Sequence, residues 1–195
     1  MGKIKSALEI ALERTEGVKG DKNSIGLFEA KQKGKRLANN FLDDPDLSLA
    51  DLIKKEPESM RDALKQGIFD TLVSQIVLPV SVDDEKRLEN VGKGLSLVIN
   101  NSQFVILYKQ FIQLISQYLS EFEQYTEAIK QQYAPKLQQK EEEIARRIGH
   151  HIKLDPFQDP EFVAFYNQHI NALKKRYQAV VDQVKEQVEH SFSGH

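Results

Sequence analysis

The residues whose types could do chemistry begin with His150 and His151, inside RRIGHHIKLDP (146–156). Imidazoles ligate metals and titrate near neutral pH, so metal binding or pH sensing is one reading of the pair. Adjacent side chains on a helix point about 100° apart, which makes shared chelation of one ion a poor fit. A helix end explains the segment better. Gly149 stands where a C-terminal cap belongs, and Arg146, Arg147 and the histidines set positive charge against the negative end of the helix dipole. Near the C-terminus Glu186 and His190 share a face, with Glu189 beside them. A carboxylate-bridged two-metal bundle needs Glu-x-x-His on two helices, and that spacing occurs nowhere in the chain. His169 reads as an exposed residue.

NVGKGLS (90–96) could form an anion-binding turn, with Ser96 opening a helix. It matches neither phosphate-loop pattern and follows no strand, so close helix packing by Gly92 and Ser96, small and four apart, is the stronger reading. MGKIKS fits a myristoylation pattern at Gly2 with Ser6, but so short a pattern often arises by chance, and the start of an amphipathic helix is the stronger reading. EAKQKGKR (29–36) and Lys174-Lys175-Arg176 are small basic clusters, and Lys136 and Lys140 could lie beside the second. Neither is interleaved with stacking aromatics, so both read as solvated faces. No catalytic, cofactor-binding or metal-ligating residue is assigned.

The totals agree with that blank. A net charge of −2 over 195 residues argues against a dedicated nucleic-acid binder. The absence of cysteine removes disulfides, thiolate metal sites and cysteine nucleophiles. No run approaches the roughly 18 apolar residues of a membrane span, and no apolar leader opens the chain, so a soluble cytoplasmic protein is expected.

The elements that must carry these residues are helices. Apolar residues recur every three or four positions and no strand pattern appears. Ile4, Leu8, Ala11 and Leu12 line a short first helix, and GVKGDKNS (17–24) reads as a flexible connector. A second helix carries Leu27, Phe28, Leu37, Ala38, Phe41 and Leu42, weakened by Gly34 and ended at DDPD. Ser48 with Asp51, and Ser81 with Asp84, have capping-box spacing. Pro57 opens a helix striped by Met60, Leu64, Ile68, Leu72 and Ile76. NNS (100–102) separates the helix after Ser81 from a long one over about 102–148, on the order of 70 Å. Asp159-Pro160-Glu161 starts the last helix.

The long helix places Phe104, Tyr108, Phe111, Ile115, Tyr118, Phe122, Tyr125 and Ile129 at alternating gaps of four and three, a heptad seam. With Tyr108 at position a, the e and g positions are apolar as well, so the face is wide enough for two neighbouring helices. Beyond Tyr125 it narrows, and Pro135 should kink or break it. KEEEIARRIG offers Glu142–Arg146 and Glu143–Arg147 pairs. A turn near 155 would fold the last helix antiparallel, with Tyr125 beside Lys185 and only the distal half of the long helix covered.

The fold expected is therefore an all-α helical bundle, with a long central helix kinked near Pro135 and an antiparallel C-terminal helix as a projecting hairpin. Residues 1–56 form N-terminal short helices and 57–195 the bundle. The expected role is non-enzymatic: interaction, scaffolding or assembly through protein contacts, partly coiled-coil, with a protein partner or homo-oligomer and no cofactor or nucleic acid. The alternatives are peripheral membrane association through residues 1–16, or an enzyme or ligand site between helices.

Overall fold

The computed structural model describes residues 7–193, with side chains from Asn23 onward. The described chain is all α: α1 (Ala7–Asp43), α2 (Leu49–Lys54), α3 (Glu58–Ser74), α4 (Val82–Ile99), α5 (Ser102–Ile148) and α6 (Pro160–Ser193), with a short 3₁₀ turn at Pro156–Gln158. Ile4 and the Gly2–Ser6 acylation pattern lie outside the described residues, as do the side chains of Leu8, Ala11 and Leu12.

The expected connector at 17–24 is not one, because α1 runs through it unbroken. No proline interrupts the stretch, and glycine costs a helix only about 1 kcal/mol per residue when it is not forced into a left-handed turn. The C-terminal half of α1 is fixed by packing, which supplies what propensity lacks. Ser81 and Asp84 make the expected capping box: Asp84 N donates to Ser81 Oγ at 3.3 Å, and Ser81 N donates to the Asp84 carboxylate at 3.0 Å. Ser48 differs, since its hydroxyl donates to the Asp51 carboxylate at 2.7 Å and caps no backbone amide. Asn100 takes a left-handed φ of 48° where α4 gives way to α5. Helix α5 continues through Pro135, whose ring lies on the exposed side, so no break occurs.

The chain divides into two compact units, Met1–Ile76 with Arg87–Val105 and Glu189–His195, and Val77–Lys86 with Ile106–Val188. In the first unit α1 crosses α3 at very short range. A Cβ built on Gly34 would stand 2.1 Å from Leu64 O, and one on Gly67 would stand 2.0 Å from Lys31 O. Ala30, Gly34 and Ala38, spaced by four, are all buried and leave the groove that receives Gly67. This spacing lets two backbones meet almost without side chains between them. Gly94 is likewise packed, its Cβ position 2.7 Å from a Leu72 methyl and 3.0 Å from the Phe41 ring. Gly92 and Gly94 thus lie buried inside an intact α4, and no anion-binding turn forms. The Phe69 and Phe192 rings stack at 3.9 Å in the same unit.

Candidate functional site

The second unit is built on α5 and α6, and its register follows from side-chain pairs. Tyr118 packs on Tyr177 at 4.9 Å between centroids, and Tyr133 packs on Phe162 at 5.2 Å. Thr126 Oγ1 lies 3.2 Å from Tyr166 Oη. Partners on α6 rise in number as those on α5 fall, so the helices are antiparallel. The register differs from the sequence expectation, which set Tyr125 beside Lys185. It also brings α6 onto Tyr118, within the stretch expected to be beyond its reach.

The connector explains the difference. After Ile148 the chain reverses at Gly149, in a left-handed φ of 82°, and runs back along α5. Leu154 N donates to Glu141 Oε1 at 2.7 Å, well before α6 begins. Extended residues advance about 3.3 Å each against 1.5 Å in a helix, so equal steps about a central residue misjudge the pairing.

Where the connector meets α6, five side chains form a latch. Asp159 caps the helix, accepting from Glu161 N at 3.1 Å. Its carboxylate also accepts from Lys140 Nζ at 2.9 and 2.8 Å and from the Tyr133 hydroxyl at 3.0 Å. Lys140 Nζ reaches Glu161 at 2.7 Å, and Lys136 Nζ reaches the same carboxylate at 2.9 Å. Hydrogen bonds from Lys140 hold the Asp159 carboxyl below its ordinary value. Lys140, then Lys136, draw Glu161 down to about 2. Hydrogen bonding to Asp159 and Glu161 pushes the Lys140 ammonium up, and burial followed by Asp159 pushes the Tyr133 hydroxyl up. Every group is moved away from neutrality. A general acid or base works best with its pKa near the working pH, so this arrangement holds charge in place and is poorly suited to passing protons. A cavity of about 410 Å³ adjoins it, lined by Lys140, Glu143, Ile144, Leu154, Asp155 and Pro160 among others.

The latch gives hairpin stability a dependence on acid. A lowered carboxyl stabilises the fold above its ordinary pKa, and the contribution disappears as pH falls toward the folded value. For Glu161 that window runs from 4.5 down to about 2. Thermal unfolding followed at pH 5 and pH 2.5 should show a lower midpoint at the acid end, with the loss smaller in Glu161→Gln.

The other residues raised by the sequence are not assembled into a site. His150 and His151 lie exposed beyond Gly149, which closes α5 by donating its amide to Ala145 O at 2.8 Å. Glu186, Glu189 and His190 are exposed, and among the described residues no group of three or more His, Cys, Asp and Glu could hold a metal. In the first basic cluster Lys31 pairs with Asp70 at 2.8 Å and Lys33 with Glu56 at 2.5 Å, clamping α1 to α3 and to the connector that precedes it. Lys136 and Lys140 are occupied at the latch, and Arg176 pairs with Glu121, so they do not join Lys174 and Lys175 in one basic patch. Glu142–Arg146 and Glu143–Arg147 do not form; Glu142 accepts from Gln138 at 3.3 Å instead. The latch was half visible in the sequence, where Asp159 stands out as a cap. Tyr133 and Lys140, seven apart on one face of α5, were the remaining signal.

The class this defines is an all-α protein with an antiparallel helical hairpin closed by a buried capping carboxylate. The chain belongs to the family of unknown function DUF6657, whose model matches residues 50–190, from α2 through most of α6. No curated protein and no solved structure matches the chain. Among the described residues no helix is long and apolar enough to cross a membrane.

Proposed function

We propose that this chain is a non-enzymatic helical protein that acts through protein–protein contacts, as an interaction or assembly component. The observation that carries the reading is the exposed apolar turn of α1. Ile25 is 52% exposed and Phe28 63%, three residues apart on one helix face, with Leu27 exposed between them. Among the described residues of α1, burial begins only at Ala30. Scattered apolar side chains are ordinary on a surface, whereas a contiguous apolar turn is the kind of feature that marks a contact site. The electrostatics of the latch add support, because its groups serve structure rather than proton transfer.

The occupant tested first is a second copy of the chain. In sedimentation experiments the parent protein is expected to associate as concentration rises, and Ile25→Asp with Phe28→Asp to remain monomeric with unchanged helical circular dichroism. A parent that stays monomeric at every concentration removes self-association through this turn.

A further inference from the structure

We propose that residues 150–155, between α5 and α6, form a strap that opens about Gly149 over the cavity beside α5, while the two helices stay paired. The strap has the construction of a separate moving part. None of its residues is buried; Ile152 and Leu154 are partly covered and the rest are exposed. Gly149 takes a left-handed φ of 82°, and a Cβ built there would meet nothing within 4 Å, so this end has room to turn.

At the other end the 3₁₀ turn is fixed to α6. Asp155 accepts from Phe157 N at 3.0 Å, and the Phe157 ring packs edge-on against Phe162 at 5.1 Å and Tyr166 at 5.2 Å. Between these ends a single hydrogen bond ties the strap to α5 among the described residues, Leu154 N to Glu141 Oε1 at 2.7 Å. Leu154 and Asp155 of the strap line one side of the open cavity of about 410 Å³, with Lys140, Glu143 and Ile144 of α5 on the other. Breaking the tether releases Leu154 from the wall of this open cavity. The latch at Asp159, which holds α6, stays closed. Segments with little burial and few cross-links open locally at lower free energy than the core.

Hydrogen exchange on the full chain tests this. In the parent, the Leu154 amide should exchange faster than amides of α5 near Tyr133 and of α6 between Phe165 and Tyr177. Glu141→Ala should accelerate the Leu154 amide by about tenfold or more, the effect of losing one charge-assisted bond, and leave those helix amides unchanged. Glu141→Gln, which keeps a carbonyl acceptor without the charge, should fall between the two. Unaltered exchange at Leu154 in Glu141→Ala would overturn the tether. Equal acceleration in α6 would show that strap and helices open as one unit, and would overturn the strap.

Discussion

Gly67→Ala is expected to destabilise the first unit by about 3 kcal/mol, the upper end of ordinary overpacking costs. In most helix interiors the same change stabilises, because alanine is favoured over glycine by about 1 kcal/mol. Here the sign is decided by what the new methyl meets. Its position lies 2.0 Å from Lys31 O, 2.9 Å from Lys31 C and 3.1 Å from Lys35 N. All three are backbone atoms, so no rotamer change relieves the clash and the two helices must move apart. Separation thins the packing of Leu64 and Ile68, both fully buried, and stretches the Lys31–Asp70 ion pair. Gly34→Ala meets Leu64 O at 2.1 Å and should cost a similar amount. The double variant should cost less than the sum, since helices already parted by one methyl accommodate the other. Gly26→Ala is the control. Its Cβ would meet only the end of the Met60 side chain, the terminal methyl at 3.0 Å and the sulfur at 3.7 Å, a flexible end that can swing aside, so this change should be neutral or stabilising by up to about 1 kcal/mol. Urea denaturation midpoints for the four variants decide the matter, and a parental midpoint for Gly67→Ala would refute the close crossing.

These glycines also show where the sequence could and could not be read. The limits of α5 follow from its apolar seam and the Asn100–Ser102 break, and the structure places them at Ser102 and Ile148. The capping box at Ser81 and the start at Asp159 rest on bonds between residues two to four apart, which spacing alone reveals. Gly34 looked like a weak point in a helix because its partner, Gly67, is distant in sequence and on another element. The wide face of α5 was read in part. Tyr108, Phe111, Ile115 and Tyr118 are buried, whereas Leu114 at position g and Tyr125 at position d remain exposed. The α5–α6 register escaped because it depends on the path of an extended connector, not on helix periodicity. With the register went the latch, since Asp159 could be named as a cap but not joined to Lys140 and Tyr133. The Glu142–Arg146 and Glu143–Arg147 pairs failed for a different reason. An exposed pair gains only a few tenths of a kcal/mol, which side-chain entropy readily offsets.

Asp159→Ala should cost the second unit about 3 kcal/mol, combining the loss of an N-cap with the loss of charge-assisted hydrogen bonds. Three donors lose a bond together: the Glu161 amide, the Lys140 ammonium, which keeps only Glu161, and the Tyr133 hydroxyl, left with a long contact to Glu161 at 3.4 Å. Tyr133 is the worst placed of them, because it is buried between Phe162 and Phe165 and has little access to water. Asp159→Asn keeps an oxygen for the cap and for one further donor but removes the charge, so roughly half the penalty is expected. Tyr133→Phe deletes a donor and leaves the Lys140–Asp159 pair intact, which should cost about 1 kcal/mol. The pH dependence separates this account from a simple packing defect. Because hydrogen bonds from Lys140 lower the Asp159 carboxyl in the folded protein, its contribution is present above the ordinary value of 3.8 and fades as pH drops beneath it. The stability gap between parent and Asp159→Ala should therefore be full at pH 6 and should narrow steadily below pH 3.8. A gap that stays constant from pH 6 to pH 2.5 would mean that Asp159 acts through its shape alone, and that the charge network closing the hairpin contributes nothing.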